Sequence, residues 1–460
     1  MSITVWEPED ASFWAATGRA IANRNMWTSV FVEHIGFCVW SLWSVLVLFM
    51  TPKTGFALSA GDKFLLASIV TLVGSAVRPL YGYAVTRLGG RTWTTLSALF
   101  LLVPVVGATI LMGYPKAPLF AFVACAAVSG IGGGSFASST TNINFFFPER
   151  EKGRALGINA GAGNLGVASV QLLGLLVIAA VGLARPRILP LVFVPLLLAA
   201  VVLAATRMDN LPGMRTSGTV YGDALKDPYT WTISVLYLGT FGSFIGYSFA
   251  FGLVLQNDFG RTPLQAASLT FIGPLLGSLI RPYGGHLADR FGASRITLAS
   301  FAGLAAGTAV TVAASAMESL PLFIVAFVAL FVLSGLGNGS TYAMIPVPYQ
   351  AAAERAIAAG EEPAAARLDA RRRAGAVIAI AGTFGGLGGV AINLAFRQSY
   401  ATVHNARPAL IGFLAFYVVC AAVTLYARHR AGASQARIGQ IEESIARVLR
   451  AATGGVTTRS

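Results

Sequence analysis

The chain has 460 residues, 55% of them hydrophobic and only 11% charged, with a formal net charge of +14. A soluble domain carries about a quarter charged residues, so this composition excludes an ordinary soluble globular protein. The basic surplus would suit a nucleic-acid partner, but its distribution along the chain argues against one.

Apolar runs of about 20 residues, long enough to cross roughly 30 Å of hydrocarbon, recur from end to end. Charged residues and prolines break them into twelve predicted spans near 27–50, 64–86, 93–113, 117–147, 153–181, 187–206, 229–255, 264–288, 293–317, 320–345, 374–396 and 408–427. The segment 1–26 before the first span is polar and lacks a small-residue cleavage site, so no signal peptide is expected. The stretch 207–228, broken by Asp209, Pro212, Gly213, Asp223 and Pro228, reads as a linker between bundles at 27–206 and 229–428. Residues 346–373 are polar and Ala-rich and read as a loop with helical turns. Residues 429–460 read as a tail, a short basic helix with a disordered end. The expected fold class is an all-α integral membrane protein of twelve transmembrane helices.

Placing alternate loops and both tails on one side collects 23 of the 33 Lys and Arg there and leaves 8 opposite. That asymmetry marks the cytoplasmic side, so both termini are expected to be cytoplasmic. The basic residues orient the chain in a lipid bilayer, and no nucleic-acid partner is expected. Cys38, Cys125 and Cys420 all fall in apolar spans, and three cysteines without a spacing motif make neither a disulfide framework nor a metal site. No nucleophile–base pair or phosphate loop is evident either, so no cofactor and no enzyme activity are expected.

The chain repeats itself. Gly74, Ser75, Arg78, Pro79, Gly82, Arg87 and Gly89 recur as Gly277, Ser278, Arg281, Pro282, Gly285, Arg290 and Gly292, all at one offset. A second pair, GIGGGS at 130–135 and GLGNGS at 335–340, recurs at nearly the same offset. Such repeats predict two pseudo-symmetric six-helix halves with a substrate between them near the midplane.

Arg78 and Arg281 are the two basic residues placed well inside spans, each nine residues before the arginine that ends its helix. At a rise of about 1.5 Å per residue that is roughly 13 Å of depth, near mid-bilayer. A central arginine costs at least about 2.5–3.5 kcal/mol to insert, so it needs a partner or a wet cavity. Acids within spans are almost absent, Glu33 being the exception. A guanidinium keeps its charge and presents a planar fork, which suits an oxyanion. Asn164, Tyr237, Phe241 and Phe136 fall at similar depth by the same ruler, with Tyr237 and Phe241 one turn apart on one helical face. At these positions lipid contact, packing or an interhelical hydrogen bond are open alternatives. Gly161-x-Gly163-x-x-Gly166 formally matches a dinucleotide fingerprint, but no strand precedes it, and small residues at this spacing instead let helix backbones approach.

These segments resemble the NarK-type nitrate/nitrite porters of the major facilitator superfamily. GIGGGSFASSTTNINFFF at 130–147 is similar to the family's fourth helix, and GRALGINAGAGNL at 153–165 to its first nitrate signature. GAVIAIAGTFGGLGG at 375–389 resembles the second signature, YLGTFGSFIGYSFAFG at 237–252 the seventh helix, and ADRFGASR at 288–295 the superfamily's loop motif. The resemblance implies a major-facilitator fold and a secondary transporter of nitrate, nitrite or both in the inner (plasma) membrane, working as a monomer. It implies that Arg78 and Arg281 clamp the anion, that Asn164 and Tyr237 hydrogen-bond it, and that Phe136 and Phe241 sandwich its plane. Glu33 and His34, within EHIGF…VWSLWS, resemble the proton-coupled subgroup, so nitrate/proton symport is expected ahead of nitrate/nitrite antiport. The alternative for Glu33 is that it neutralises the arginines. A major-facilitator exporter of another anion and an anion channel are the more distant rivals.

Overall fold

The computed structural model describes residue 3, residues 5–211 and residues 218–429. Twelve helices in it are long and apolar enough to cross a bilayer: α1 (Ala11–Phe49), α2 (Ala60–Leu88), α3 (Gly90–Leu111), α4 (Leu119–Phe146), α5 (Glu149–Val181), α6 (Ile188–Arg207), α7 (Pro228–Asp258), α8 (Pro263–Phe291), α9 (Ala293–Ala316), α10 (Leu320–Ala358), α11 (Ala365–Val403) and α12 (Arg407–His429). Helices are the form such sequences must take, because hydrocarbon offers no partner to a backbone N–H or C=O. The chain is an all-helical, multi-pass membrane protein among the described residues.

Local chemistry sets several ends. Ser59 and Asp62 cap one another's backbone at the start of α2, and Thr262 and Gln265 do so before α8. Asp227 caps α7, with Pro228 in its first turn. The repeated motif closes both of its helices in the same way. Gly89 ends α2 at φ +87° and Gly292 ends α8 at φ +92°, a conformation that side-chain-bearing residues rarely adopt.

Three boundaries differ from the sequence reading. α1 starts at Ala11 and not near 27, because the polar residues 11–26 continue the helix as an amphipathic extension that a hydropathy reading passes over. The segment 346–373 is helical except around 359–362, extending α10 to Ala358 and starting α11 at Ala365. Its alanines favour helix strongly, but its polarity hides this from a search for apolar runs. Within 207–228, Gly218–Lys226 forms a short helix, while 212–217 and the tail from 430 lie outside the described residues.

The core of the fold is α1 and α7, whose apolar windows are 89% and 94% buried, against 33% for the outer helices α6, α9 and α12. The first six helices meet the last six where α2 packs on α11, α5 on α8 and the second part of α1 on α7. At one end of this interface Phe64 of α2 stacks on Phe396 and Tyr400 of α11, with ring centroids 5.5 and 5.3 Å apart. Near them the Gln256 side chain of α7 donates to the Leu48 carbonyl of α1 at 3.3 Å, and Gln171 of α5 donates to the Ser248 carbonyl of α7 at 2.8 Å. The other end carries an ion pair, Arg371 Nε to Glu149 Oε2 at 3.1 Å, between α11 and α5. Arg78 and Arg281 are both buried in this structure.

Candidate anion-binding site

Arg78 follows a break in α2, where the helix loosens at Val77 and restarts with Pro79 in its first turn. It is 3% exposed. Its Nη1 donates to the Gly382 carbonyl of α11 at 2.6 Å and its Nε to the Gly133 carbonyl of α4 at 3.3 Å, while Nη2 has no partner. The guanidinium carbon lies 5.0 Å from the ring centroid of Phe241, 5.6 Å from Phe136 and 5.7 Å from Trp40. Aromatic faces attract a cation in place of water at this distance.

Arg281 occupies the equivalent place in α8, before Pro282, and is 6% exposed. Its Nη2 donates to the Tyr237 hydroxyl at 3.1 Å, and its guanidinium carbon lies 5.7 Å from the ring of Tyr342. Tyr237 stacks on Phe241 with centroids 5.3 Å apart and planes within 11°. The two arginines are therefore joined through one pair of rings, Arg281 to Tyr237 and Phe241 to Arg78. Phe136 is half-buried and meets Phe37 edge-on at 6.5 Å. Asn164 is buried in α5 with its Nδ2 unpartnered.

Among the described residues, no carboxylate comes within 4.0 Å of either guanidinium, and the ion pairs of the molecule lie elsewhere. Two permanent cations, buried on opposite sides of the interface and without an acid, carry a desolvation cost that protein groups only partly offset. An oxyanion accepting from the free edges of the forks would complete the set.

The Major Facilitator Superfamily profile matches residues 34–393. The chain is similar to the nitrate/nitrite transporter NarU of Salmonella typhimurium, with 35% identity over 92% of this chain and 96% of that protein. It is similar, at 32% identity over 75% of this chain and 82% of the other, to the probable nitrate/nitrite antiporter NarK2 of Thermus thermophilus. The chain belongs to the NarK-type nitrate/nitrite porters of the major facilitator superfamily. Among solved structures, a bacterial homolog of the human lysosomal transporter Spinster, inward-facing and unoccupied, superposes with a TM-score of 0.60 at 15% identity, covering 88% of this chain and 97% of that one. That likeness concerns the fold alone.

In this NarK-type chain the structure packs Glu33 and His34 against α5, with no hydrogen bond from either side chain to a guanidinium. Glu33 is 1% exposed and accepts a hydrogen bond from Ser139 Oγ of α4 on Oε2, while Oε1 has no partner. Asn159 Nδ2 of α5 donates in turn to Ser139 Oγ at 2.9 Å and to Thr140 Oγ1 at 3.3 Å. His34 Nδ1 lies 2.8 Å from the Ala162 carbonyl, which makes it the protonated ring nitrogen. Glu33 makes no direct ion pair with Arg78 or Arg281.

The glycine-rich segments are close-approach surfaces. A methyl group at Gly163 would lie 1.9 Å from Glu33 Oε1, and one at Gly166 would lie 2.6 Å from the His34 carbonyl. Both belong to the run that formally matches a dinucleotide fingerprint, and they bring α5 onto α1 in the middle of a helix. On α11, a methyl at Gly386 would meet Ser75 Oγ at 2.1 Å and one at Gly385 would meet the Tyr237 ring at 2.4 Å. Gly385→Ala is therefore expected to cost about 1–3 kcal/mol of stability by overpacking. By displacing Tyr237 it should also reduce anion uptake by about tenfold or more. Melting in detergent and uptake into proteoliposomes measure the two effects, and wild-type behaviour in both would show that α11 yields without moving the ring.

Sequence reasoning missed Trp40, Tyr342, Ser139, Asn159 and the Gly382 carbonyl. Trp40 carried a signal, since it lies seven residues, two turns, after Glu33 on one face of α1. Ser139 and Asn159 carried none, being uncharged polar residues among many in helices rich in Ser, Thr, Asn and Gly.

Proposed function

We propose that this chain is a secondary active transporter that moves nitrate, with nitrite as a second cargo, across the inner (plasma) membrane by alternating access. Both termini would be cytoplasmic and one copy of the chain sufficient. The observation that carries this reading is the pair of acid-free buried guanidiniums on opposite sides of the interface, linked by Tyr237 and Phe241, with Arg78 Nη2 and Asn164 Nδ2 left as free donors. A flat monoanion with acceptor oxygens matches fork donors set beside aromatic faces, and the names of similar proteins, nitrate/nitrite transporters, agree with that chemistry.

The anion bridges Arg78 and Arg281 and offsets their mutual repulsion, so the bundles at 27–206 and 229–428 close around it. Only such a differential interaction with the states lets a substrate drive the change. Transport is proposed to be nitrate/proton symport, with Glu33 as the proton-carrying group. A carboxylate buried with one hydroxyl donor and no direct ion pair is costly as an anion, and a proton on the unpartnered Oε1 removes the charge. His34 stands next to it in the chain as a second titratable group. The alternative coupling, exchange of nitrate for nitrite, is favoured by the antiporter name of the Thermus relative. Nitrate uptake into proteoliposomes with and without an inward proton gradient separates the two. Symport predicts stimulation by the gradient; stimulation by internal nitrite alone establishes exchange.

A further inference from the structure

We infer that Asn338 of α10 is a further anion-contacting residue and sets the preference between a three-oxygen and a two-oxygen oxyanion. The inference rests on the anion reading above and adds a residue to the same site.

The faces of α10 around Asn338 are assigned by its neighbours. Methyl groups at Gly335 and Gly339 would each lie 2.2 Å from backbone carbonyls of α8, those of Gly277 and Arg281. Gly337 packs on Thr240 of α7 and Ser300 of α9, and Ser340 Oγ lies 2.9 Å from Thr297 Oγ1 of α9. The sector left over, between the α8 and α7 contacts, holds Asn338, with Tyr342 one turn further along. Tyr342 reaches the site: its ring is 5.7 Å from the Arg281 guanidinium carbon and 6.2 Å from the Tyr237 ring. Asn338 is thus one turn along α10 from a residue that already flanks Arg281.

Asn338 is 1% exposed, and neither its Nδ2 nor its Oδ1 has a partner. Among the described residues it is the one side-chain amide with both ends buried and unpartnered. Asn142, Asn159, Gln171 and Asn393 each leave an oxygen free but bond through the nitrogen. Thr341 Oγ1, three residues further along α10, and Ser278 Oγ, one turn from Arg281 on α8, are also buried without partners. A buried amide nitrogen with nothing to bond is costly, so a ligand with acceptor capacity belongs there.

The internal repeat supports the same place. Asn338 is the counterpart of Gly133, whose carbonyl accepts from Arg78 Nε. Where the first half lays backbone against its arginine, the second half sets an amide. Arg78 Nη2, Asn164 Nδ2 and Asn338 Nδ2 are then three free donors contributed by α2, α5 and α10. Together with the Arg281 fork these donors can reach all three oxygens of a trigonal anion, whereas a two-oxygen anion presents no third oxygen to the amide. A site built to hydrogen-bond a group discriminates against the analogue that lacks it.

The test uses the full-length protein in proteoliposomes, with nitrate and nitrite saturation measured separately. Asn338→Leu is expected to raise the nitrate KM about tenfold and the nitrite KM by less than about threefold, a selective shift that lost packing alone would not produce. Asn338→Ser, which keeps a small donor, is expected to fall between the leucine variant and the wild type for nitrate, and serves if the leucine variant does not fold. Unchanged constants in either variant, or equal rises for both anions, overturn the inference and leave the amide to a structural water. If the wild type itself carries neither anion, the underlying anion reading fails, and the inference fails with it.

Discussion

Replacing Arg78 or Arg281 by lysine is expected to abolish nitrate uptake while the protein still inserts, purifies and stays folded. The charge is unchanged, so the cost of burying it and the repulsion across the interface are broadly kept. What is lost is the fork. Arg78 uses Nε on the Gly133 carbonyl and Nη1 on the Gly382 carbonyl, which leaves Nη2 for a ligand. Arg281 gives Nη2 to the Tyr237 hydroxyl, which leaves its other N–H groups for a ligand. A single ammonium cannot hold these backbone acceptors and an anion in the same plane. Hydrogen bonds to charged groups are worth about 1.5–3 kcal/mol each, so losing two amounts to roughly a hundredfold or more in rate. Uptake of labelled nitrate by each variant checks this, and near-normal flux from either lysine variant would remove the clamp from the mechanism.

Changing Glu33 to glutamine is expected to disconnect transport from the proton gradient without disabling it. Glutamine keeps the volume and offers Ser139 an oxygen in place of Glu33 Oε2, so the contacts among α1, α4 and α5 survive. It has no proton to exchange with water on either side. Gradient-stimulated accumulation should vanish, while exchange of internal for external nitrate, which needs no net proton movement, should stay within about threefold of wild type. Stability should hold or rise slightly, because no charge is left to bury in that network. Full gradient-driven accumulation by Glu33→Gln would reassign the proton site, with His34 the next group to change.

The site's charged members were legible in the sequence for specific reasons. An arginine in an apolar run stands out because hydrocarbon penalises it, and the repeat at one offset marked two of them. Counting helical rise from the nearest helix end gave each a depth without any contact being known. Tyr237 and Phe241 followed from one-turn spacing, and the structure adds that their rings lie parallel between the arginines. The polar helices flanking 359–362 were not legible, since hydropathy finds membrane-crossing windows and passes over the polar turns that extend them.

By itself the sequence determined the membrane class, the twelve spans, the internal repeat and the presence of two buried cations, because each depends on how residues partition along one chain between water and hydrocarbon. Only the tertiary structure decided which groups face the cations. The Gly382 carbonyl reaches Arg78 across more than three hundred residues, Ser139 and not an arginine meets Glu33, and Asn338 lies one turn from Tyr342 with nothing to bond. Such pairings depend on how closely helices approach, on which face of each turns inward and on which polar atoms are left over once packing is complete. Glycines allow that approach at Gly163, Gly339 and Gly385, but the spacing of glycines does not name the partner.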